Sequence, residues 1–534
     1  MTDQPVTSSR GHETRDELNE KYARYVISPP LLADLAKPAE NGKELALPVI
    51  IDLNLDFAND TDARDRHAGT LAVARKRVVN WVNDVGGHLK DIFSRSHVFA
   101  TLTEAQLLQL VALDNEAGSH AIYKVWRDRK LEAFLDRSVK TIKADACGRV
   151  FGSDDAGLGQ DVVWAVIDSG IDGTHAHFKT YGTLDLNGGQ TPSPAYRTGK
   201  RPIRHKDYTG ANQPLRDVYG HGTHVAGIIA GATCASRNSA DPEGKDRPVA
   251  VRLMRRRDER NSVRLYAENV YRPYCGVAPR CKLVSLKVLD DGGGGEESSL
   301  LAALDYVAEI NEDGRRVRIN GVNISIGYGF DADWFAAGQS PICVAVNRLV
   351  DYKVVVVVAA GNEGSVVMVP EGATVARRIG LGQSIADPGN AERAITVGST
   401  HAESPETYGI SYFSSRGPTA DGREKPDLVA PGERIVSCAS TSKVEELSAE
   451  KDKVGVFEHQ KGMPYYREDS GTSMAAPHVS GAAAALMSIH REFLNNPNPD
   501  RIKQILVATA TDLKRRHDFQ GAGLIDVFRA VQSV

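Results

Sequence analysis

The stretch Asp161-Val162-Val163-Trp164-Ala165-Val166-Ile167-Asp168-Ser169-Gly170 decides the fold. Its apolar, β-branched run suits a strand buried on both faces, as in a parallel sheet, and it ends abruptly in a carboxylate. Asp168 therefore stands at a strand's carboxyl end, where open α/β sheets place their chemistry. A second core strand is read in Lys353-Val354-Val355-Val356-Val357-Val358-Ala359-Ala360-Gly361-Asn362-Glu363-Gly364. Its five consecutive valines are stiff and β-favouring, and they run into a Gly-Asn turn. Such strands predict a mainly parallel α/β sheet flanked by helices.

Two segments predict helices that open on chemically capable residues. In Gly220-His221-Gly222-Thr223-His224-Val225-Ala226-Gly227-Ile228-Ile229-Ala230 a turn gives way to a small-residue helix with His221 at its entrance. Read singly, that histidine is a helix cap at the surface. In Gly471-Thr472-Ser473-Met474-Ala475-Ala476-Pro477-His478 a serine follows a glycine turn and precedes a run of small residues up to Leu486. Ser and Thr are ordinary N-cap residues, so alone this is an unremarkable helix start. The first turn also carries unpaired N–H groups and the positive end of the helix dipole, which stabilise a negative oxygen. A serine hydroxyl is a weak nucleophile near neutral pH, and needs a base and a group that orients the base.

Taken together, Asp168-Ser169-Gly170, His221-Gly222-Thr223-His224 and Gly471-Thr472-Ser473-Met474-Ala475-Ala476-Pro477, in that chain order, resemble the subtilisin family of serine endopeptidases. The likeness runs from about Ser138 to the C-terminus. It implies Ser473 as nucleophile, His221 as general base and then acid, and Asp168 as the carboxylate fixing the imidazole tautomer. His224 is then a packed neighbour. The same resemblance makes Asn362, otherwise a turn residue, a donor to the tetrahedral oxyanion alongside the nucleophile's backbone N–H. The segments Phe413 to Pro418, Lys425 to Gly432 and Gly521 to Asp526 resemble further stretches of the family.

An endopeptidase holds an extended peptide by strand addition. Gly293, Gly294 and Gly295, in a four-glycine run that reads locally as a flexible loop, are implied by the resemblance to be an edge strand pairing with the substrate. Ser325, Ile326 and Gly327 are implied to form the other flank, and Ala359, Ala360 and Gly361 the opposite pocket wall. These small apolar walls suit uncharged side chains, while Glu363, Glu296 and Glu297 favour Lys or Arg nearby.

A chain of 534 residues exceeds one hydrophobic core, so at least two domains are expected. With 41% hydrophobic residues and a formal net charge of −4, neither nucleic acid nor membrane is expected as a partner. No apolar run approaches a bilayer span, and the polar N-terminus lacks a signal-peptide core, so a cytoplasmic, monomeric enzyme is expected. The six cysteines are too sparse for a disulfide scaffold, although a bridge between Cys275 and Cys281 is conceivable.

Residues 1–46 read as a polar N-terminal extension, 47–137 as a small α+β domain and 138–534 as the catalytic domain. Within 47–137, strands at 47–55, 97–100 and 121–126 alternate with helices at 68–85 and 103–113, the latter opened by a Thr103/Gln106 capping box. This order resembles a subtilisin propeptide, which implies an intramolecular inhibitor released by self-cleavage between Lys130 and Ser138. A non-inhibitory binding domain is the other reading.

Three departures from the family pattern stand out. His177 occupies a position where subtilisins often place a calcium-binding Asp, so no cofactor is expected to be required and a structural calcium is in doubt. An insertion near 236–272 carries Arg252, Arg255, Arg256, Arg257, Arg260 and Arg264, read as a solvated face. A charged insertion near 441–468 lengthens the path into the nucleophile turn and is placed to overhang the cleft. The competing functions are a metal-dependent hydrolase, with His175, His177, His221 and His224 around zinc, and a catalytically silent peptide-binding module.

Overall fold

The computed structural model describes residues 15–28, 31–32, 45–54, 66–90, 94, 96–117, 120–127, 135–151, 158–186, 201–233, 248–257, 263–333, 336–369, 376–449 and 462–534. Residues 130–134, part of the expected self-cleavage segment, and Arg260 lie outside them. The chain divides into two compact units, Met1–Glu132 and Ala133–Val534.

The N-terminal unit is an antiparallel sheet of β1 (Leu47–Leu53), β2 (His88–Leu89), β3 (His97–Leu102) and β4 (Ile122–Arg127), in the order β2-β3-β1-β4. Val49, Ile51 and Leu53 alternate into its core, the period expected of a sheet with one buried face. Helices Arg66–Asp84 and Glu104–Glu116 join the strands, and the Thr103/Gln106 capping box is present. A further helix, Arg15–Val26, belongs to this unit: Ala23, Val26, Ile27 and Leu31 are buried in the same core, and Ile27 bridges Val125. The charges of its exposed face hid that helical spacing within the polar extension.

The second unit contributes β5 (Val163–Asp168), β6 (Lys206–Asp207), β7 (Ala250–Arg257), β8 (Val263–Val270), β9 (Lys282–Lys287) and β10 (Gly321–Ile324). Beyond these run β11 (Val355–Ala359), β12 (Ser365–Met368), β13 (Arg377–Gly380), β14 (Ile395–His401), β15 (Leu428–Glu433), β16 (Ile435–Cys438) and β17 (Tyr465–Asp469). Seven of them form the main sheet, in the order β15-β14-β11-β10-β5-β9-β6, every pair parallel.

Both faces of this sheet are covered, which is why its strands read as unbroken apolar runs. Trp164 and Val166 enter one core together with the helices His221–Ile229 and Thr472–Ile489. Val163, Ala165 and Ile167 enter the other, against Glu297–Ile310 and Pro341–Asp351. Each Å² of apolar surface removed from water in these two layers stabilises the unit by about 25 cal/mol.

The two insertions meet in one four-stranded sheet, β16-β17-β7-β8, with β17 and β7 parallel. Helix Thr441–Ala449 covers it: Val444 and Leu447 pack with Val251, Leu253, Leu265 and Tyr465. The arginine-rich face therefore divides. Arg255 and Arg256 are exposed, but Arg252 is buried and paired with Glu268, contrary to a wholly solvated face. No bridge joins Cys275, which is exposed, to Cys281, which is buried. Among the described residues, no helix is long and apolar enough to cross a membrane.

Candidate active site

The carboxyl ends of β9, β5, β10 and β11, neighbours in the sheet, deliver the segments after Lys287, at Asp168, after Ile324 and after Ala359 to one edge. Asp168 is buried, and its Oδ1 accepts from His221 Nδ1 at 2.7 Å and from the Ser169 N–H at 2.7 Å. Its Oδ2 is buried with no partner among the described residues. The strand and the helix approach so closely that a β-carbon on Gly222 would collide with the Gly170 carbonyl and lie 3.0 Å from Asp168 Cβ. The glycine after His221 is therefore a packing requirement for the Asp–His contact.

Asp217 holds this turn in place. Its carboxylate accepts from the Gly220 N–H (2.7 Å), the Thr223 N–H (2.8 Å), the Thr223 hydroxyl (2.6 Å) and the Ser169 hydroxyl (2.9 Å). The Ser169 oxygen in turn accepts from the Gly222 N–H at 2.9 Å. A carboxylate four residues before His221 was the available signal, and sequence reasoning passed over it.

Burial pulls the proton affinity of His221 down, but the charge and hydrogen bond of Asp168 outweigh it, and Asp469 adds to them. The net pKa is raised above the ordinary 6.5. His224 behaves oppositely: burial, then the Arg467 charge, lower it to about 3, and its Nε2 lies 3.1 Å from both the Ile435 and Arg467 carbonyls.

Ser473 is the second residue of the helix Thr472–Ile489, where an N–H has no intrahelical acceptor. Its Oγ donates to the Ser325 carbonyl at 2.8 Å, and Ser325 Oγ donates to the Ser473 carbonyl at 3.0 Å. That carbonyl is free because residue 477, whose N–H would have met it, is proline. One turn on, His478 is buried, with Nδ1 on the Met474 carbonyl (2.8 Å) and Nε2 on Ser138 Oγ (2.9 Å).

Thr472 fixes Asn362. The Thr472 N–H donates to Asn362 Oδ1 at 2.9 Å, and the Thr472 hydroxyl donates to it at 3.2 Å while accepting from the Gly361 N–H at 3.2 Å. An N–H needs an acceptor, so the amide is oriented with Oδ1 toward Thr472. Nδ2 has no protein partner among the described residues and is left to donate outward.

A cleft of about 430 Å³ is lined by His221, Ser473, Asn362, Gly293, Gly295, Ser325, Ile326, Gly327, Ala359 and Gly361, with Tyr219 and Glu363. Two expected lining residues are not among them. Gly294 stands back from the cleft, and Ala360 is wholly buried, with its N–H on the Val397 carbonyl. The four-glycine run is a tight turn and not an extended strand. Asp290 Oδ1 accepts from the Gly292 and Gly294 N–H groups at 2.8 and 2.9 Å, and only Gly295 makes a bridge, to Leu289. The Tyr219 ring fills the space over Gly293, where a β-carbon would lie 2.6 Å from it. Facing them, the Gly327 main chain makes no hydrogen bond among the described residues and is open to a peptide.

The four histidines considered as zinc ligands do not converge. His175 Nε2 lies 2.9 Å from the Tyr465 carbonyl, and His177 Nδ1 lies 2.9 Å from the Tyr466 hydroxyl. Among the described residues no group of three or more His, Cys, Asp or Glu is arranged to hold a metal ion.

The profile of the subtilase family (Peptidase_S8) matches residues 159–523, well over half of the chain. Serine protease AprX of Bacillus subtilis (strain 168) is 28% identical over 417 residues, covering 77% of this chain and 74% of AprX. Pyrolysin of Pyrococcus furiosus is 30% identical over 346 residues, covering 59% of this chain and 21% of pyrolysin. Subtilisin E of Bacillus subtilis (strain 168) is 28% identical over 374 residues, covering 70% of this chain and 66% of subtilisin E.

Proposed function

Since the chain belongs to the subtilase family and is a serine-type endopeptidase, we propose that Asp168, His221 and Ser473 are its triad and Asn362 its oxyanion donor. The observation that carries this reading is the 2.7 Å contact of Asp168 with His221, whose ring lines the same cleft as Ser473. In the reaction the Ser473 hydroxyl leaves the Ser325 carbonyl and gives its proton to His221 Nε2. Oγ bonds to the scissile carbonyl carbon, and the displaced electron pair makes an oxyanion, held by Asn362 Nδ2 and the Ser473 N–H. The imidazolium, its Nδ1–H held by Asp168, protonates the leaving nitrogen as the C–N bond breaks. Water repeats the sequence on the acyl-enzyme, restoring Ser473 and releasing the acid.

The substrate is a protein or peptide chain held extended between the Gly293–Gly295 turn and the Ser325–Gly327 segment. The first protein it cuts is its own. An antiparallel sheet carrying two connecting helices, placed before the catalytic unit, supports the reading of the N-terminal unit as an inhibitory propeptide. Hydrolysis of casein by the wild type, its loss in Ser473→Ala, and fluorophosphonate labelling of Ser473 alone test the assignment; a fully active Ser473→Ala overturns it.

A further inference from the structure

The triad and the oxyanion donors leave unexplained two charged residues on the strand that ends the second insertion. Arg467 and Asp469 stand on β17, which pairs with β16 on one side and with the arginine-rich β7 on the other. The side chains are 13% and 31% exposed. Arg467 Nη1 donates to Asp469 Oδ2 at 2.6 Å, and Asp469 Oδ1 accepts from the Ser470 N–H at 2.8 Å. Arg467 Nη2 donates to the Gly220 carbonyl at 3.3 Å, and the Arg467 carbonyl lies 3.1 Å from His224 Nε2.

Gly220 is the N-cap of the helix that opens with His221, and it brings no side-chain cap of its own. Its N–H is held by Asp217 and its carbonyl by Arg467, so the residue before His221 is fixed from two elements. One turn later His224 is tied to the same strand. Asp168 sets the ring's orientation, whereas β17 grips the backbone that carries the ring.

We propose that the Arg467–Asp469 pair is a positioning device for His221, through which the inserted sheet fixes the start of the imidazole's helix and sets the charge around the ring. The inference rests on the triad reading above. The charged and titratable groups facing His221 are Asp168 from β5, Arg467 and Asp469 from β17, and His224, kept neutral by burial, on its own helix. The Tyr219 ring lies 6.2 Å away, and Glu363 shares the cleft. Within this set burial lowers the proton affinity of His221, Asp168 and Asp469 raise it, and Arg467 lowers it. The two members of the pair thus act on the ring in opposite directions.

That opposition separates a positioning role from a plain structural ion pair. Asp469→Asn, Arg467→Met and Arg467→Lys are compared with the wild type by the pH dependence of kcat/KM on an uncharged peptide amide, with folding checked by circular dichroism. Asp469→Asn is expected to move the acid limb to lower pH and Arg467→Met to higher pH, each by about 0.5 unit, the size of a partly exposed charge. Arg467→Met should lose turnover with little change in KM. Arg467→Lys should restore the limb but only part of the turnover, because an ammonium lacks the fork that spans Asp469 and Gly220. Unmoved limbs, or limbs moved in the same direction, in active variants overturn the inference. Should Arg467→Met not fold, the Asp469→Asn limb alone decides. If the wild type shows no Ser473-dependent hydrolysis, the triad reading fails instead.

Discussion

Ser473 and Ser325 exchange hydrogen bonds, the first giving its hydroxyl to the second's carbonyl at 2.8 Å and receiving the second's hydroxyl on its own carbonyl at 3.0 Å. The resting position of Ser473 is thereby set by Ser325, and Pro477 leaves the Ser473 carbonyl dependent on that contact. Ser325→Ala should strand the Ser473 carbonyl and cost about 1 kcal/mol of stability, the net worth of one hydrogen bond. A lowered thermal midpoint in calorimetry, with the fold intact by circular dichroism, is the expected result, and an unchanged midpoint contradicts it.

Asn362→Ala should lower turnover by about 10² to 10³, the loss known for such a donor in subtilisin itself, while KM stays nearly constant. Thr472→Val keeps the amide but removes the hydroxyl that helps orient it, so a smaller loss in the same parameter is expected. Steady-state kinetics on both variants checks the order; equal losses would mean that Thr472 does more than orient.

As the proposed general base His221 must be neutral to accept a proton, and the net effect of its surroundings holds it protonated to a pH above its ordinary 6.5. Activity is therefore lost as pH falls through that raised value, and kcat/KM should show an acid limb with its midpoint above 6.5. The reverse sign holds for folding: the raised affinity stabilises the folded state below about 6.5 and that contribution fades as pH rises past the folded value. A kcat/KM limb lying below 6.5 would show that Asp168 and Asp469 do not outweigh burial.

Wild-type enzyme should lose its N-terminal unit on storage, and Ser473→Ala should remain full length. Intact-mass analysis reads both, and equal processing of the two would assign the cut to another protease.

His177 is buried, with its pKa lowered to about 3 by burial and then by the neighbouring His175, and it spends Nδ1 on the Tyr466 hydroxyl. A neutral imidazole so engaged is a poor partner for calcium, which takes oxygen ligands. Activity and thermal midpoint should accordingly be unchanged by a calcium chelator, and a midpoint drop reversed by added calcium would locate a site elsewhere.

The strands and helix starts of the site were legible because their signals are local. The valine run of β11, the carboxylate closing β5 and the small-residue helix behind Ser473 each declare themselves within a dozen residues. The inserted sheet was not legible, since β17 pairs in parallel with β7, whose partner residues lie more than 200 positions earlier, and nothing local announces such a pairing. The glycine turn failed as an extended edge because Asp290, just before it, supplies a side-chain acceptor that draws two glycine N–H groups inward. The Gly294 and Ala360 positions show the same limit: a motif places a segment at the cleft, but the local backbone, a turn at Gly294 and the end of β11 at Ala360, decides which of its residues face in.

The contact of His478 with Ser138 bears on the self-cleavage proposed between Lys130 and Ser138. Ser138 is fully buried, and its hydroxyl lies 2.9 Å from the ring of His478, about one turn beyond Ser473 on the same helix. If the chain cuts itself as proposed, a cut before Ser138 should leave this contact whole. A cut beyond Ser138 should leave a buried imidazole nitrogen without its partner, so the proposed trimming is expected to end before that residue.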